Sequence, residues 1–184
     1  MKEYKEIKIE DIDVLDYLNT DEDNVLIASG GKKHHNIMAT NDITFGIMRD
    51  KPVVTLYLEQ DFYTRGYVEK KGSFSLNFLS DTEESREKLK KIQAVSGREV
   101  DKFKEYDLDF DMVDGVPATS DSKYLLICKV IYRNHPSKSD FFDDYRKFYK
   151  KNFKKSSDYA YLAEIVGAYE VVETADDKES KKED

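Results

Sequence analysis

The feature that most constrains the fold is a run of ten almost wholly apolar residues, KYLLICKVIY, at residues 123–132. A strand that is apolar at both odd and even positions must be covered on both faces. The run therefore predicts a strand buried within a larger β-structure. Cys128 lies inside this run, and its simplest role is that of a small core residue rather than a reactive thiol.

Four other segments predict strands, and two charged segments between them predict helices. The predicted strands are NVLIAS at residues 24–29, KPVVTLYL at 51–58, FSLNF at 74–78 and YAYLAEIVGAYEVV at 159–172. The predicted helices cover residues 63–71 and 82–94, and the second carries Leu89 and Ile92 three positions apart among many charges. Together these segments predict a mainly β fold with inserted helices, in the form of a strand-rich barrel or sandwich.

The length of the chain predicts its domain organisation. The 184 residues suffice for one hydrophobic core and are few for two, so we expect a single domain over residues 1–172. The last twelve residues, ETADDKESKKED, carry no apolar side chain except one alanine. Such a segment cannot bury enough apolar surface to offset the entropy of ordering, which predicts a disordered tail over residues 173–184.

The charge and composition limit the expected partners. The formal net charge of −8 disfavours binding to a phosphate backbone, so we expect no nucleic acid partner. A single cysteine forms no intramolecular disulfide and fits a reducing compartment. The N-terminal segment is charged throughout, unlike a signal peptide, and no apolar run approaches the roughly 18 residues of a membrane span. We therefore expect a cytoplasmic protein without a membrane partner.

The stretch VSGREVDKF at residues 95–103 supports two interpretations. Ser96 followed three residues later by Glu99 has the spacing of a capping box, which predicts that Ser96 is the N-cap of a helix. Alternatively, Gly97 allows close approach of the backbone, and Arg98 and Lys102 add positive charge to a helix start, which predicts an anion site. The residues of this stretch alone leave both interpretations open.

The order of motifs along the chain resembles a known family. HHNIMAT, DKPVVTLYL, FYT, FSLNFL, VSGREVDKF, LLICKVIY and YLAEIVGAYE follow one another between residues 25 and 170. Together they resemble the flavin reductase-like family of FMN-binding split β-barrels, and the Ser-Gly-Arg-acidic-x-Asp-Lys segment is the most specific part of the match. The resemblance implies a split barrel that binds FMN, takes hydride from NADH or NADPH and passes electrons to a second acceptor.

The resemblance also implies a homodimer and a set of cofactor-binding residues. In that family FMN lies at the subunit interface. Carried over position by position, Asn36 and Met38 lie near the isoalloxazine ring. The residues implied near the ribityl chain and the phosphate are Tyr63, Thr64, Ser96, Gly97, Arg98 and Lys102. No catalytic side chain is implied, because the cofactor carries the chemistry.

The sequence departs from the family pattern at four positions. Ala39 and Asp42 stand where members often have Thr and Trp, and Glu59 and Phe62 stand where arginines usually precede the Tyr-Thr pair. Glu59 reverses a charge that would attract the phosphate. The departures leave open an alternative, a non-enzymatic ligand-binding or structural member of the same fold that has lost FMN.

Two further segments suggest sites and have simpler explanations. His34 and His35 are adjacent, and adjacent side chains on a strand point to opposite faces and do not converge on a metal. The segment DFFDDYRKFYKKNFKK at residues 140–155 mixes aromatic and basic residues, as single-stranded nucleic acid sites do. Helical spacing gathers its aromatic residues on one face, which favours an amphipathic helix that covers the barrel or a dimer seam.

Overall fold

The computed structural model describes residues 2–17, 25–142 and 158–174. Within these residues the strands are β1 Lys2–Glu6, β2 Val25–Gly30, β3 His35–Thr40, β4 Ile43–Met48, β5 Lys51–Leu58, β6 Ser73–Leu79, β7 Phe110–Val113, β8 Val116–Thr119, β9 Ser122–Asn134 and β10 Tyr159–Glu173. The α-helices are α1 Tyr63–Lys71, α2 Glu83–Ala94 and α3 Lys102–Glu105. None of the described helices is long and apolar enough to cross a membrane.

Eight strands form one antiparallel sheet, in the order β3-β2-β6-β9-β10-β5-β4, with β1 paired to the far end of β10. The fifteen-residue β10 pairs with β9 along most of its length, with β5 through its first half and with β1 through its last residues. The β9–β10 pairing contains two register shifts, one with the extra residue Ile131 on β9 and one with Val166 on β10, and such shifts bend the strands. This bending lets the sheet close around its own inner face.

The inner faces of six strands meet in one apolar cluster, as they do inside a barrel. Its members come from β2, β4, β5, β6, β9 and β10, and include Val54, Phe74 and Tyr161. A second cluster lies on the outer face of β2 and β3, where Leu89 of α2 and Phe103 of α3 cover the sheet. Helices α2 and α3 are therefore held against β3, and this contact forms one side of the site described below.

The β7–β8 hairpin covers the outer face of β9. Val113, Val116 and Ala118 of the hairpin pack with Leu125 and Ile127 of β9. The core residues on the other face of β9, Cys128 among them, point into the barrel. The predicted strand at residues 123–132 is thus confirmed, and it is buried on both faces through its first half.

The predicted strands and the first two helices are confirmed with small changes of boundary. The segments at residues 51–58 and 63–71 are β5 and α1 without change, and α2 begins one residue after its N-cap, Thr82. β10 extends to Glu173, one residue into the predicted tail. The rest of that tail from residue 175 lies outside the described residues. So do residues 143–155 of the segment 140–155, in which an amphipathic helix is predicted.

The prediction that Ser96 is the N-cap of a helix is wrong. Helix α3 begins at Lys102, its N-cap is Asp101, and residues 97–99 form a turn. In this turn the Glu99 amide donates to the Ser96 carbonyl at 3.0 Å. The physical reason is local, because Gly97 would stand in the first helical turn and glycine disfavours a helix by about 1 kcal/mol. The segment therefore forms an ordered loop that leads into α3.

Candidate functional site

A cavity of about 540 Å³ lies between β3, the loop before α1, the end of α2 and the loop before α3. All eight residues implied by the family resemblance line it, namely Asn36, Met38, Tyr63, Thr64, Ser96, Gly97, Arg98 and Lys102. The structure thus brings together residues from three separate segments of the chain, 36–38, 63–64 and 96–102. The four positions that depart from the family pattern, Ala39, Asp42, Glu59 and Phe62, line the same cavity.

Residues that the motifs did not identify complete the lining. They are Thr40, Asp61, Gln93, Ala94 and Val95. Gln93 and Ala94 belong to the end of α2, whose approach to β3 depends on the packing of Leu89 and Ile92. The apolar spacing of α2 was visible in the sequence, whereas its position over β3 was not.

A close polar contact joins β3, α1 and the loop at Gly97. Asn36 is 5% exposed, and its Nδ2 donates to the Thr64 hydroxyl at 2.8 Å. A Cβ atom added at Gly97 would lie 2.0 Å from Asn36 Oδ1. Glycine is required here for a close approach, and the group that it lets approach is the Asn36 side chain. Asn36, Thr64, Gly97 and the neighbouring Lys102 are called the packed wall below.

Lys102 stabilises the end of α2. It is 4% exposed, and its Nζ donates to the carbonyl oxygen of Ile92, in the last turn of α2, at 2.7 Å. The carbonyl end of a helix carries a partial negative charge, so an ammonium group is well placed there. Burial nevertheless lowers the pKa of Lys102 to about 8. Sequence reasoning placed this lysine at the ligand and did not identify its partner, which lies in another helix.

The first turn of α1 presents backbone donors to the cavity. Its N-cap, Phe62, makes no side-chain capping bond. In the described parts of the chain, the amides of Tyr63 and Thr64 donate to no acceptor. Such amides carry partial positive charge and are a common site for anions.

Arg98 lies beside the same helix start. Its guanidinium carbon is 5.5 Å from the centre of the Tyr63 ring, a cation–π distance. The Arg98 amide donates to the Ser96 hydroxyl at 3.3 Å, which helps to shape the loop. The Tyr63 ring is fixed in turn by an edge contact with Tyr67, and the two hydroxyls are 3.0 Å apart. Arg98 is therefore an exposed cation that the Tyr63 ring holds beside the free amides at the start of α1.

Three carboxylates also line the cavity: Asp42, Glu59 and Asp61, called the acidic rim below. Within the residues that the structure covers, none of them pairs with a lysine or an arginine. Partial desolvation raises the pKa of Asp42. The rim therefore places negative charge on the cavity without a compensating cation.

A fourth carboxylate, Asp158, lies close to the rim because of strand pairing. Leu58 pairs with Tyr159, so the residues on either side, Glu59 and Asp158, are neighbours. Burial first, and then the negative charges of Glu59 and Asp42, raise the pKa of Asp158 to about 6, while His135 opposes the shift.

The two adjacent histidines do not form a metal site. His35 stacks on Phe110 at 4.2 Å between ring centres, and its Nδ1 lies 3.0 Å from the Gly31 carbonyl oxygen. His34 is exposed on the turn before β3. Across the described residues, no cluster of His, Cys, Asp or Glu is arranged to hold a metal ion. His35 instead fixes the start of β3, one residue before Asn36.

Glu164 of β10 has a cationic partner on the neighbouring strand β5. Its carboxylate accepts hydrogen bonds from Lys51 Nζ at 2.8 Å, across the β5–β10 pair. Both side chains keep contact with solvent. The pair is a structural link between strands and lies outside the cavity lining.

Several solved structures with the same fold are flavin proteins. The chain superposes on flavoredoxin from Methanosarcina acetivorans with a TM-score of 0.61 at 20% identity, over 90% of this chain and 75% of that one. An FMN-binding domain of a flavin reductases-like enzyme from Shewanella baltica gives 0.63 at 16% identity, over 92% and 78%. The NADH:FAD oxidoreductase of Streptomyces globisporus gives 0.59 at 15% identity, over 80% and 75%.

These similarities establish the fold. No protein-family model matches the sequence, and no curated protein matches it. At 15–20% identity, the structural neighbours show shared architecture. The split-barrel fold expected from the motif order is confirmed.

Proposed function

We propose that this chain, which has the split-barrel fold of flavin reductase-like proteins, binds FMN in the cavity beside β3 and transfers electrons from NADH or NADPH to an acceptor. The observation that carries the proposal is the convergence of all eight family-implied residues on one cavity. A volume of 540 Å³ lies within the range of about 300–1,000 Å³ that is usual for small-molecule sites. Three structural neighbours are described as binding FMN or acting on FAD with NADH.

The residues present fit a flavin with a phosphate at one end. The free amides of Tyr63 and Thr64, with Arg98 beside them, are the donors suited to the phosphate. Asn36 and Met38 of β3 are the residues suited to the ring. When bound, the flavin supplies the redox chemistry by accepting hydride and passing electrons on. The chain itself binds and orients the flavin and limits the access of water.

The first test is direct. Purified protein should show a flavin absorption spectrum or acquire one on titration with FMN. As a matched pair, Asn36→Asp should weaken binding, because it places a buried negative charge in the wall of the cavity. Glu3→Gln, on β1 and outside the lining, should leave binding unchanged. If the wild-type chain binds neither FMN nor riboflavin, the proposal fails.

A second candidate function is a ligand-binding or structural protein that has lost FMN. The observation that favours it is the unpaired acidic rim, which repels a phosphate. This alternative predicts a colourless protein that does not respond to FMN or NADH. The same titration therefore separates the two proposals.

We also propose a homodimer, as the family resemblance implies. Large apolar side chains are exposed near the β9–β10–β5–β4 part of the sheet, among them Tyr132 at 55% and Ile47 at 82%. Exposed apolar surface of this kind is common where proteins associate. Analytical ultracentrifugation should show a dimer, and a monomer with or without FMN would contradict the shared site.

A further inference from the structure

The carboxylates that line the cavity oppose the backbone and arginine donors that suit a phosphate. The acidic rim contributes three carboxylates, Asp42, Glu59 and Asp61, whereas the cations in the lining are Arg98 and Lys102. Charges in a partly desolvated cavity interact more strongly than charges in open solvent. A dianionic group that enters therefore meets repulsion that an uncharged group does not meet.

The charge of Lys102 is already engaged. Its ammonium donates to the Ile92 carbonyl oxygen at 2.7 Å and opposes the partial negative charge at the end of α2. With 4% exposure, the side chain has little freedom to turn toward a ligand without leaving that carbonyl unpaired. Lys102 thus holds the loop before α3 against α2, and acts as a positioning residue.

Arg98 is the cation that remains available to an anion. It is exposed and lies over the Tyr63 ring at the start of α1, next to the free amides. Glu59 and Asp61 precede the same helix start by a few residues, and each is exposed and unpaired within the described residues. Near the start of α1, Arg98 therefore attracts an anion, whereas Glu59 and Asp61 repel it.

We infer, on the premise that this cavity binds a flavin, that the terminal phosphate contributes little to affinity, so that riboflavin is bound about as well as FMN. Glu59 and Asp61 oppose the phosphate and Arg98 favours it, which makes these three residues the determinants of selectivity between the two flavins. The ligand class is therefore a flavin recognised through its ring and ribityl chain.

The test is the ratio of FMN to riboflavin affinity, measured by fluorescence titration at low salt, where screening is weakest. Wild type should bind the two flavins within about fivefold of each other. Glu59→Gln and Asp61→Asn should each shift the ratio about three- to tenfold toward FMN, and Arg98→Gln should shift it by a similar factor toward riboflavin. Glu3→Gln, which removes a carboxylate outside the lining, is the matched control and should leave the ratio unchanged.

Lys102 gives an independent readout. Lys102→Met should change the affinity for both flavins by the same factor and leave their ratio unchanged. The wild-type ratio should also stay constant from about pH 7 to 9, because the Lys102 ammonium, which loses its proton in this range, does not contact the phosphate. If it did contact the phosphate, FMN would lose that interaction as Lys102 deprotonates and the ratio would fall.

The outcomes are distinct. A wild-type preference for FMN of more than about a hundredfold, or a ratio that does not respond to the Glu59 and Arg98 variants, overturns the inference and leaves the proposed function standing. A ratio that falls steeply above about pH 8 assigns the phosphate to Lys102 and also overturns it. If wild type binds neither flavin, the proposed function fails and the inference fails with it.

Discussion

The packed wall and the acidic rim face the same cavity and differ in how their polar groups are satisfied. In the packed wall, the Asn36 amide has the Thr64 hydroxyl and the Lys102 ammonium has the Ile92 carbonyl. In the acidic rim, none of the three carboxylates has a cationic partner within the described residues. The wall therefore fixes the shape of the cavity, and the rim fixes its charge.

The difference follows from burial. A buried polar group without a partner costs about 1–3 kcal/mol, so each side chain of the packed wall must keep its hydrogen bond. The rim carboxylates keep contact with water and carry no such requirement. Substitutions in the wall should therefore affect stability and all ligands together, whereas substitutions in the rim should affect ligands according to charge.

The largest effect is expected from Gly97→Ala in the packed wall. The new Cβ would overlap Asn36 Oδ1 at 2.0 Å and separate Asn36 from Thr64. We expect a loss of about 1–3 kcal/mol in the free energy of unfolding, measured by urea denaturation. Both flavins should bind about tenfold more weakly, because the ring side and the phosphate side share this contact.

Gly66→Ala is the matched control for that prediction. Gly66 lies within α1, and a Cβ there meets no atom within 4 Å. Alanine should stabilise the helix by about 0.5–1 kcal/mol without changing flavin binding. If Gly97→Ala and Gly66→Ala had equal effects, the Asn36–Thr64 contact could shift without loss of stability or binding. The packed wall would then not differ from the acidic rim in rigidity.

The second effect tests the burial of Lys102. Its pKa of about 8 in the folded protein lies below the ordinary value of 10.5. Between these values the unfolded chain binds more protons than the folded one, so this group makes stability rise with pH. Wild type should gain about 1–2 kcal/mol relative to Lys102→Met between about pH 8 and 10. Lys104→Met, on the exposed face of α3, should show no such change in urea denaturation.

The third effect concerns the acidic rim and its neighbour Asp158. The pKa of Asp158 is raised to about 6 from an ordinary 3.8, so the folded protein binds more protons than the unfolded chain between these values. Wild-type stability should therefore fall as pH rises through this window, and Asp158→Asn should remove the loss. We expect the variant to gain about 1 kcal/mol on wild type between about pH 4 and 7 in thermal unfolding.

Two comparisons sharpen the Asp158 prediction. Asp50→Asn, in the exposed β4–β5 turn, should show no gain over the same pH range. Glu59→Gln should lower the pKa of Asp158 and remove part of the loss, because the charge of Glu59 is the largest cause of the raised pKa after burial. A pH dependence identical in Asp158→Asn and wild type would contradict the coupling of Asp158 to the rim.

Local patterns in the sequence were sufficient for most of the barrel. The apolar run in β9 and the strand and helix at residues 51–58 and 63–71 follow from period and turn residues alone. The β7–β8 hairpin was missed although Asp114-Gly115, with φ values of 50° and 78°, is a strong two-residue turn signal. β1 carries charged residues on both faces, so its pairing with β10 had no local signal.

The site was only partly predictable because its chemistry depends on contacts between distant segments. The motif order identified eight of the residues that line the cavity. It could not show that Lys102 donates to Ile92 in another helix. Nor could it show that the pairing of β5 with β10 places Glu59 beside Asp158. The hydrogen bond and this pairing both join segments that are far apart in the sequence, so they arise only from tertiary packing.

The smallest effect separates a true N-cap from a loop serine. The Thr82 hydroxyl accepts the Ser85 amide at 3.2 Å at the start of the twelve-residue α2, so Thr82→Ala should cost about 1 kcal/mol in urea denaturation. Ser96, with Glu99 three residues later, has the spacing of a capping box, but its hydroxyl accepts the Arg98 amide at 3.3 Å in an exposed turn. Ser96→Ala should therefore cost less than about 0.5 kcal/mol. If Ser96→Ala cost as much as Thr82→Ala, the turn would contribute to stability as a helix start does, and the loop that carries Arg98 would belong to the rigid packed wall.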